Sequence, residues 1–184
     1  LGNFIYEIAP LVNIAFIKKI HKDFQEAITI YKSILKHLDT LENTYNIKHY
    51  RLTAYINIAD AYLWMEKPDE AEIYNKSALN KCSDSISKWA YYPLLMNKAI
   101  IYYQRKQYKE CIVLAKQIRD STKKNNNEGL YLTSLFYLGK SAYKTNAYKE
   151  TIDYLEKASD KIKASDNVDL NEKELHQFLA LAYH

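Results

Sequence analysis

Glycine and proline are scarce in this chain, three of each among 184 residues. Sheet-rich folds need many turn residues, and α/β folds need glycine-rich connections, so this scarcity points to helices joined by short links. Cysteine is nearly absent as well. Cys82 and Cys111 form no C-x-x-C pair and have no histidine at metal-ligand spacing. Both read as small, partly buried residues. No apolar run approaches the roughly 18 residues of a membrane span. The chain opens on Leu1 with no charged region before an apolar stretch. It reads as a segment of a longer protein, with the compartment, cytoplasmic or periplasmic, left open.

Two other absences narrow the function. The formal net charge is +4, but no arginine cluster or basic run is present. Lysines alternate with Glu and Asp, as on a solvated helix surface, and not as in a basic stripe that tracks nucleic acid. There is no glycine-rich phosphate loop, no G-x-S-x-G, no H-E-x-x-H and no Cys-His nucleophile motif. The five histidines, His21, His37, His49, His176 and His184, are scattered. The sequence therefore gives no catalytic, metal or cofactor residues, and the expectation is a binding protein without enzymatic activity.

What the chain does have is repetition. Tyrosine is abundant (18) and phenylalanine is not (5), with Lys, Asn and Ile frequent. This is the bias of an AT-rich bacterial genome, so single residues of these types carry little weight. Four segments match one another: 23–35 (DFQEAITIYKSIL), 68–79 (PDEAEIYNKSAL), 107–118 (QYKECIVLAKQI) and 147–158 (AYKETIDYLEKA). Each holds a Glu followed by a small residue: Glu26-Ala27, Glu70-Ala71, Glu110-Cys111 and Glu150-Thr151. Such recurrence marks structure, because a catalytic centre needs unlike groups meeting once. A carboxylate in the first turn of a helix also favours the helix dipole.

Twelve residues before each small residue lies another: Ala15, Ala59, Ala99 and Gly139, spaced 44, 40 and 40 apart. Two helices approach closely only where side chains are small. Flanking apolar residues at helical spacing complete each interface. They are Leu11 and Ile14; Tyr55, Ile58 and Tyr62; Leu95 and Tyr102; and Leu135 and Leu138. The predicted helix pairs are 6–20 with 23–38, 48–65 with 68–82, 86–104 with 107–122, and 128–144 with 147–163. Asp23, Pro68 and Asn146 suit the turns, and Pro10 and Pro93 fall near the starts of first helices.

This pattern resembles the tetratricopeptide repeat, with a small residue at repeat position 8, Tyr at 11, Ala at 20 and Ala at 27. In the copy ending at Ala158, Leu138 and Gly139 match positions 7 and 8, Leu155 fills 24 and Ala158 fills 27, while Thr151 replaces the Ala at 20. The resemblance covers the whole chain, 1–184, as repeats at about 8–40, 48–82, 88–122 and 128–163 with a partial fifth at 171–184. The period is longer than the usual ~34 residues. The extra residues fall between one pair and the next. Long arrays of this kind are similar in architecture to kinesin light chains and to peptide-pheromone receptors of Gram-positive bacteria. The implied fold is all-α, a right-handed α-solenoid of antiparallel helix pairs.

The resemblance also implies a site. In this family the first helices line a concave groove with repeat positions 2, 5, 6, 9, 12 and 13. These are Asn13 and Phe16; Ile56, Asn57, Asp60 and Trp64; Met96, Asn97, Ile100, Tyr103 and Gln104; and Phe136, Tyr137, Lys140, Tyr143 and Lys144. Asn13, Asn57 and Asn97 share position 6, where an amide can pair with both N–H and C=O of an extended peptide. Trp64 fits the core as well as the groove. Lys140 and Lys144 suggest an acidic peptide or carboxylate at one end. The full clamp of chaperone-binding repeats is not matched, since Thr133 and Tyr137 replace its basic residues.

The expected partner is a protein or extended peptide. No nucleic acid, membrane or cofactor is expected in this segment, which would serve a larger bacterial signal-transduction or transcriptional regulator as its sensory or interaction part. Alternatives are a homodimer formed through Leu175, Phe178 and Leu179 of the terminal helix, or a small-ligand sensor.

Overall fold

The computed structural model describes residues 2–41, 44–81, 88–124, 127–163 and 171–184. Among the described residues there are nine helices and no strand. They are α1 (Gly2–Ile20), α2 (Phe24–Leu38), α3 (Tyr45–Trp64), α4 (Pro68–Lys81), α5 (Lys88–Gln104), α6 (Tyr108–Lys124), α7 (Glu128–Lys144), α8 (Tyr148–Lys163) and α9 (Glu172–Tyr183). None is long and apolar enough to cross a membrane. The helices fall where the sequence pattern puts them. Cys82, and the expected boundaries at 82 and 86, lie outside the described residues. Both α1 and α3 begin a few residues earlier than expected, so Pro10 sits inside α1, as Pro93 does inside α5. Each removes one helical N–H donor beyond the first turn.

The four short links are built alike. Each has three residues, and the middle one takes a left-handed backbone: Lys22, Glu66, Lys106 and Asn146, with φ of 66, 56, 61 and 61°. The next residue donates its N–H to the carbonyl five positions back: Asp23 to Lys18, Lys67 to Tyr62, Gln107 to Tyr102 and Ala147 to Ala142, at 2.8–2.9 Å. The left-handed residue donates to the carbonyl three back, at 3.0 Å in all four links. This is the Schellman closure, which satisfies the orphan carbonyls of a helix end. The carbonyls of Asp23, Lys67, Gln107 and Ala147 then accept from Ala27, Ala71, Cys111 and Thr151, opening the next helix at 3.0–3.1 Å. One residue thus ends one helix and begins another.

The chain divides into two compact units, Leu1–Asn97 and Lys98–His184. In the first unit α1 packs on α2, α2 on α3 and α3 on α4, and α1 also touches α3. Ala15, Ala27, Ala59 and Ala71 are fully buried, as the small-residue pairing requires. Tyr31, Ile34, Leu38, Ile47, Leu52 and Ile58 fill the core around them. From α3, the buried Arg51 donates to the Leu38 carbonyl at 2.8 Å, closing the end of α2. Leu11 and Ile14 differ from expectation: both are exposed, not packed in the first interface. Whereas α3 lies between α2 and α4, α1 packs, among the described residues, on α2 and α3.

In the second unit α6 packs on α7, α7 on α8 and α8 on α9, with α7 also touching α9. Ala99, Cys111, Gly139 and Thr151 are buried. Leu132, Leu135, Phe136, Leu155, Ala158 and Leu175 form its core cluster, with Phe178 and Leu179 packed against it. This corrects the expected dimer surface on α9. Leu175 is buried, and Phe178 and Leu179 are half-buried, because α9 turns its apolar stripe onto α7 and α8. Asn127 and Asn171 cap α7 and α9, accepting from the backbone N–H of Leu130 and Glu174 at 3.2 Å.

Candidate binding surface

The first unit presents the C-terminal halves of α1 and α3. Phe16 and Ile20, one turn apart on α1, are 47% and 50% exposed. Trp64, at the end of α3, is 45% exposed and stacks on Phe24, with ring centroids 6.2 Å apart and planes 11° from parallel. Trp64 is therefore a surface residue and not a core one. Lys19 binds this region together: its ammonium lies 2.6 Å from Asp60 Oδ2, 2.8 Å from Asn57 Oδ1 and 5.3 Å from the centre of the Phe16 ring. That joins position 12 of the first repeat to positions 6 and 9 of the second.

The three position-6 asparagines are not equivalent. Asn13 is exposed. Asn57 gives its acceptor to Lys19 and donates to the Thr53 carbonyl at 2.9 Å. Asn97 is buried and donates to the Ile56 carbonyl at 3.3 Å, tying α5 to α3. Of the other expected groove residues in this unit, Ile56 is half-buried and Met96 is buried.

In the second unit Lys140 is only 6% exposed, held 2.6 Å from Glu174 Oε1. Its ammonium lies 4.6 Å from the centre of Tyr103, 4.9 Å from Phe136, 5.1 Å from Tyr137 and 5.7 Å from Phe178. A desolvated cation is tolerable there because a carboxylate and the negative ring faces surround it. Its charge is thus taken up inside the protein. Burial pushes the pKa of the Tyr103 hydroxyl well above its ordinary range, and the Glu174 carboxylate adds to this. Ile100 and Phe136 are buried, and Tyr143 is half-buried against Tyr148 and Phe178. Lys144 is exposed, with its ammonium 5.9 Å from the Tyr143 and Phe178 rings.

Sequence reasoning missed Lys19, Ile20 and Glu174, and it placed Phe178 on a dimer surface and not beside Lys140. Lys19 and Ile20 occupy positions 12 and 13 of the first repeat, so the same rule that picked Tyr103 and Trp64 reaches them. Glu174 and Phe178 are positions 2 and 6 of the partial fifth repeat. Between α8 and α9 lies a small cleft of about 210 Å³, lined by Ser159, Ile162, Glu172, Leu175 and His176. No group of three or more metal-ligating side chains occurs among the described residues. No protein-family model matches the chain, and no curated protein matches it.

Proposed function

We propose that the chain is a tetratricopeptide-like array that binds an extended segment of another protein on the surface of its first helices. The observation that carries this reading is the exposed cluster of Phe16, Ile20 and Trp64, which stands at groove positions 9 and 13 of successive repeats. The fourfold recurrence of the same turn, at 40- to 44-residue spacing, supports the array. On this reading the chain serves as the interaction part of a larger bacterial regulator. Panning a random peptide library against the chain tests the proposal. Peptides recovered by the parent and lost by the Phe16→Ala, Trp64→Ala double variant support it. Retention by that variant, with its helix content unchanged by circular dichroism, contradicts it.

A second reading rests on α1, whose Leu11, Ile14 and Ile17 form an exposed apolar stripe. Such a stripe would seat another helix, from a second copy or from another protein. A mass independent of concentration would count against the second copy.

A further inference from the structure

The first-helix surface of the first unit carries large apolar side chains, and the two charged residues at its groove positions, Lys19 and Asp60, are each other's partners. We propose, on the basis of the peptide-binding reading above, that its ligand is a peptide stretch with uncharged, apolar side chains, recognised without ionic contacts.

Three observations lead there. The large exposed side chains of the cluster, Phe16, Ile20 and Trp64, carry no formal charge, and the indole N–H is their one polar group. Lys19 and Asp60, the charged groups at groove positions beside them, are bonded to each other at 2.6 Å, with side chains 15% and 26% exposed. The neighbouring Lys18 is held by Glu26 at 2.8 Å, with Asp23 at 3.8 Å. Lys19 spends two of its three N–H donors on Asn57 and Asp60, and Asp60 already balances its charge. A charged ligand of either sign would give up its own hydration at the pair for little net attraction. An apolar side chain loses nothing at the pair and gains burial on the rings.

The pairing also fixes geometry. Lys19 spans from α1 to both Asn57 and Asp60 on α3, and its charge over the Phe16 ring orients that ring beside the groove. Asn57, with its acceptor occupied, can offer a peptide only its remaining N–H. Recognition then rests on apolar contact, with few main-chain bonds.

The test uses the Trp89→Phe variant of the chain, in which Trp64 is the remaining tryptophan. Trp89 is exposed, so the change leaves the core intact. Three pools of end-blocked peptides are titrated against Trp64 emission. All carry Leu and Phe at alternate positions, with Ser and Asn, Asp and Glu, or Lys at the others. Each titration is run at low and high salt, about 0.05 M and 0.5 M, which spans weak to strong screening. The expected result is binding of the uncharged pool at least ~10-fold tighter than either charged pool, a gap of about 1.4 kcal/mol. Its affinity should change less than about twofold with salt. Tighter binding of a charged pool, falling steeply with salt, overturns the proposal while leaving peptide binding standing. Emission unmoved by all three pools overturns both.

Discussion

Gly139 in α7 lies directly against Leu155 in α8: a β-carbon built on Gly139 would sit 2.5 Å from Leu155 Cγ and closer still to Cδ2. Leu155 is fully buried in the core of the second unit, so it has no free direction in which to yield. Gly139→Ala gains about 1 kcal/mol of helix propensity. It meets an overpacking cost of about 1–3 kcal/mol. The expected net effect is destabilisation, read as a lower urea midpoint with an unchanged slope. Leu155→Ala alone should cost about 2–5 kcal/mol. Combined with Gly139→Ala it should cost less than the sum, because the new methyl enters the space that Leu155 vacates.

The left-handed turn residues give a second prediction of opposite sign. Lys22, Glu66 and Lys106 hold φ values that cost a side-chain-bearing residue about 1–2 kcal/mol. Glycine removes that strain and gives back part of the gain as chain entropy. Lys22→Gly, Glu66→Gly and Lys106→Gly should each stabilise by roughly 0.5–1 kcal/mol. Asn146→Gly should gain less, since asparagine already tolerates this conformation. Thermal unfolding of the four variants checks the ranking. A loss of stability in the first three would mean that these side chains contribute contacts outweighing the strain.

The Lys140–Glu174 pair separates charge from shape. Lys140→Met keeps the stem among the rings and removes the charge, so it should change stability by less than about 1 kcal/mol. Glu174→Ala leaves a buried ammonium with no carboxylate and should cost about 2–4 kcal/mol. The double variant should recover most of that loss. Chemical denaturation of the three proteins decides it, and equal costs for both single variants would refute the view of Lys140 as an internally neutralised cation.

Alkaline pH should weaken the second unit through Cys111. Burial pushes its thiol from 9.0 up to about 11, although the Ser141 hydroxyl and the Lys140 charge pull the other way. The folded state therefore holds this proton more tightly than the unfolded chain does. The resulting stability is complete below pH 9 and is lost as pH rises towards 11. Burial raises the Tyr31 and Tyr103 hydroxyls in the same sense. Urea midpoints measured across this range should fall with pH, and Cys111→Ala should make the fall shallower. The buried thiol should also resist alkylation at neutral pH until the protein unfolds.

The helices and their pairing were legible because they follow from small residues at fixed spacing: Ala15 with Ala27, and so on to Gly139 with Thr151. These pairs are buried as the spacing requires. The turn conformation was not legible, because Lys, Glu and Lys occupy left-handed positions where glycine would have announced them. Periodicity identified the apolar faces but not their coverage. Leu11 and Ile14 have the spacing of core residues yet face outward, while Leu175 and its neighbours on α9 fold inward. At the candidate surface, groove positions located Phe16 and Trp64. They could not tell that Asn97 would bond Ile56, or that Lys140 would be enclosed by four rings, since both depend on contacts between helices far apart in sequence.

The chain carries two tryptophans, and they report on different surfaces. Trp64 belongs to the cluster with Phe24, while Trp89 packs on His49 with ring centroids 4.7 Å apart. Their two indole N–H signals in a nitrogen-15 correlation spectrum therefore contain the central test and its control. Titration with the uncharged Leu/Phe peptide should move the Trp64 signal, assigned with Trp64→Phe, and leave the Trp89 signal in place. Movement of Trp89 alone, or of neither, would contradict peptide binding on the first-helix surface.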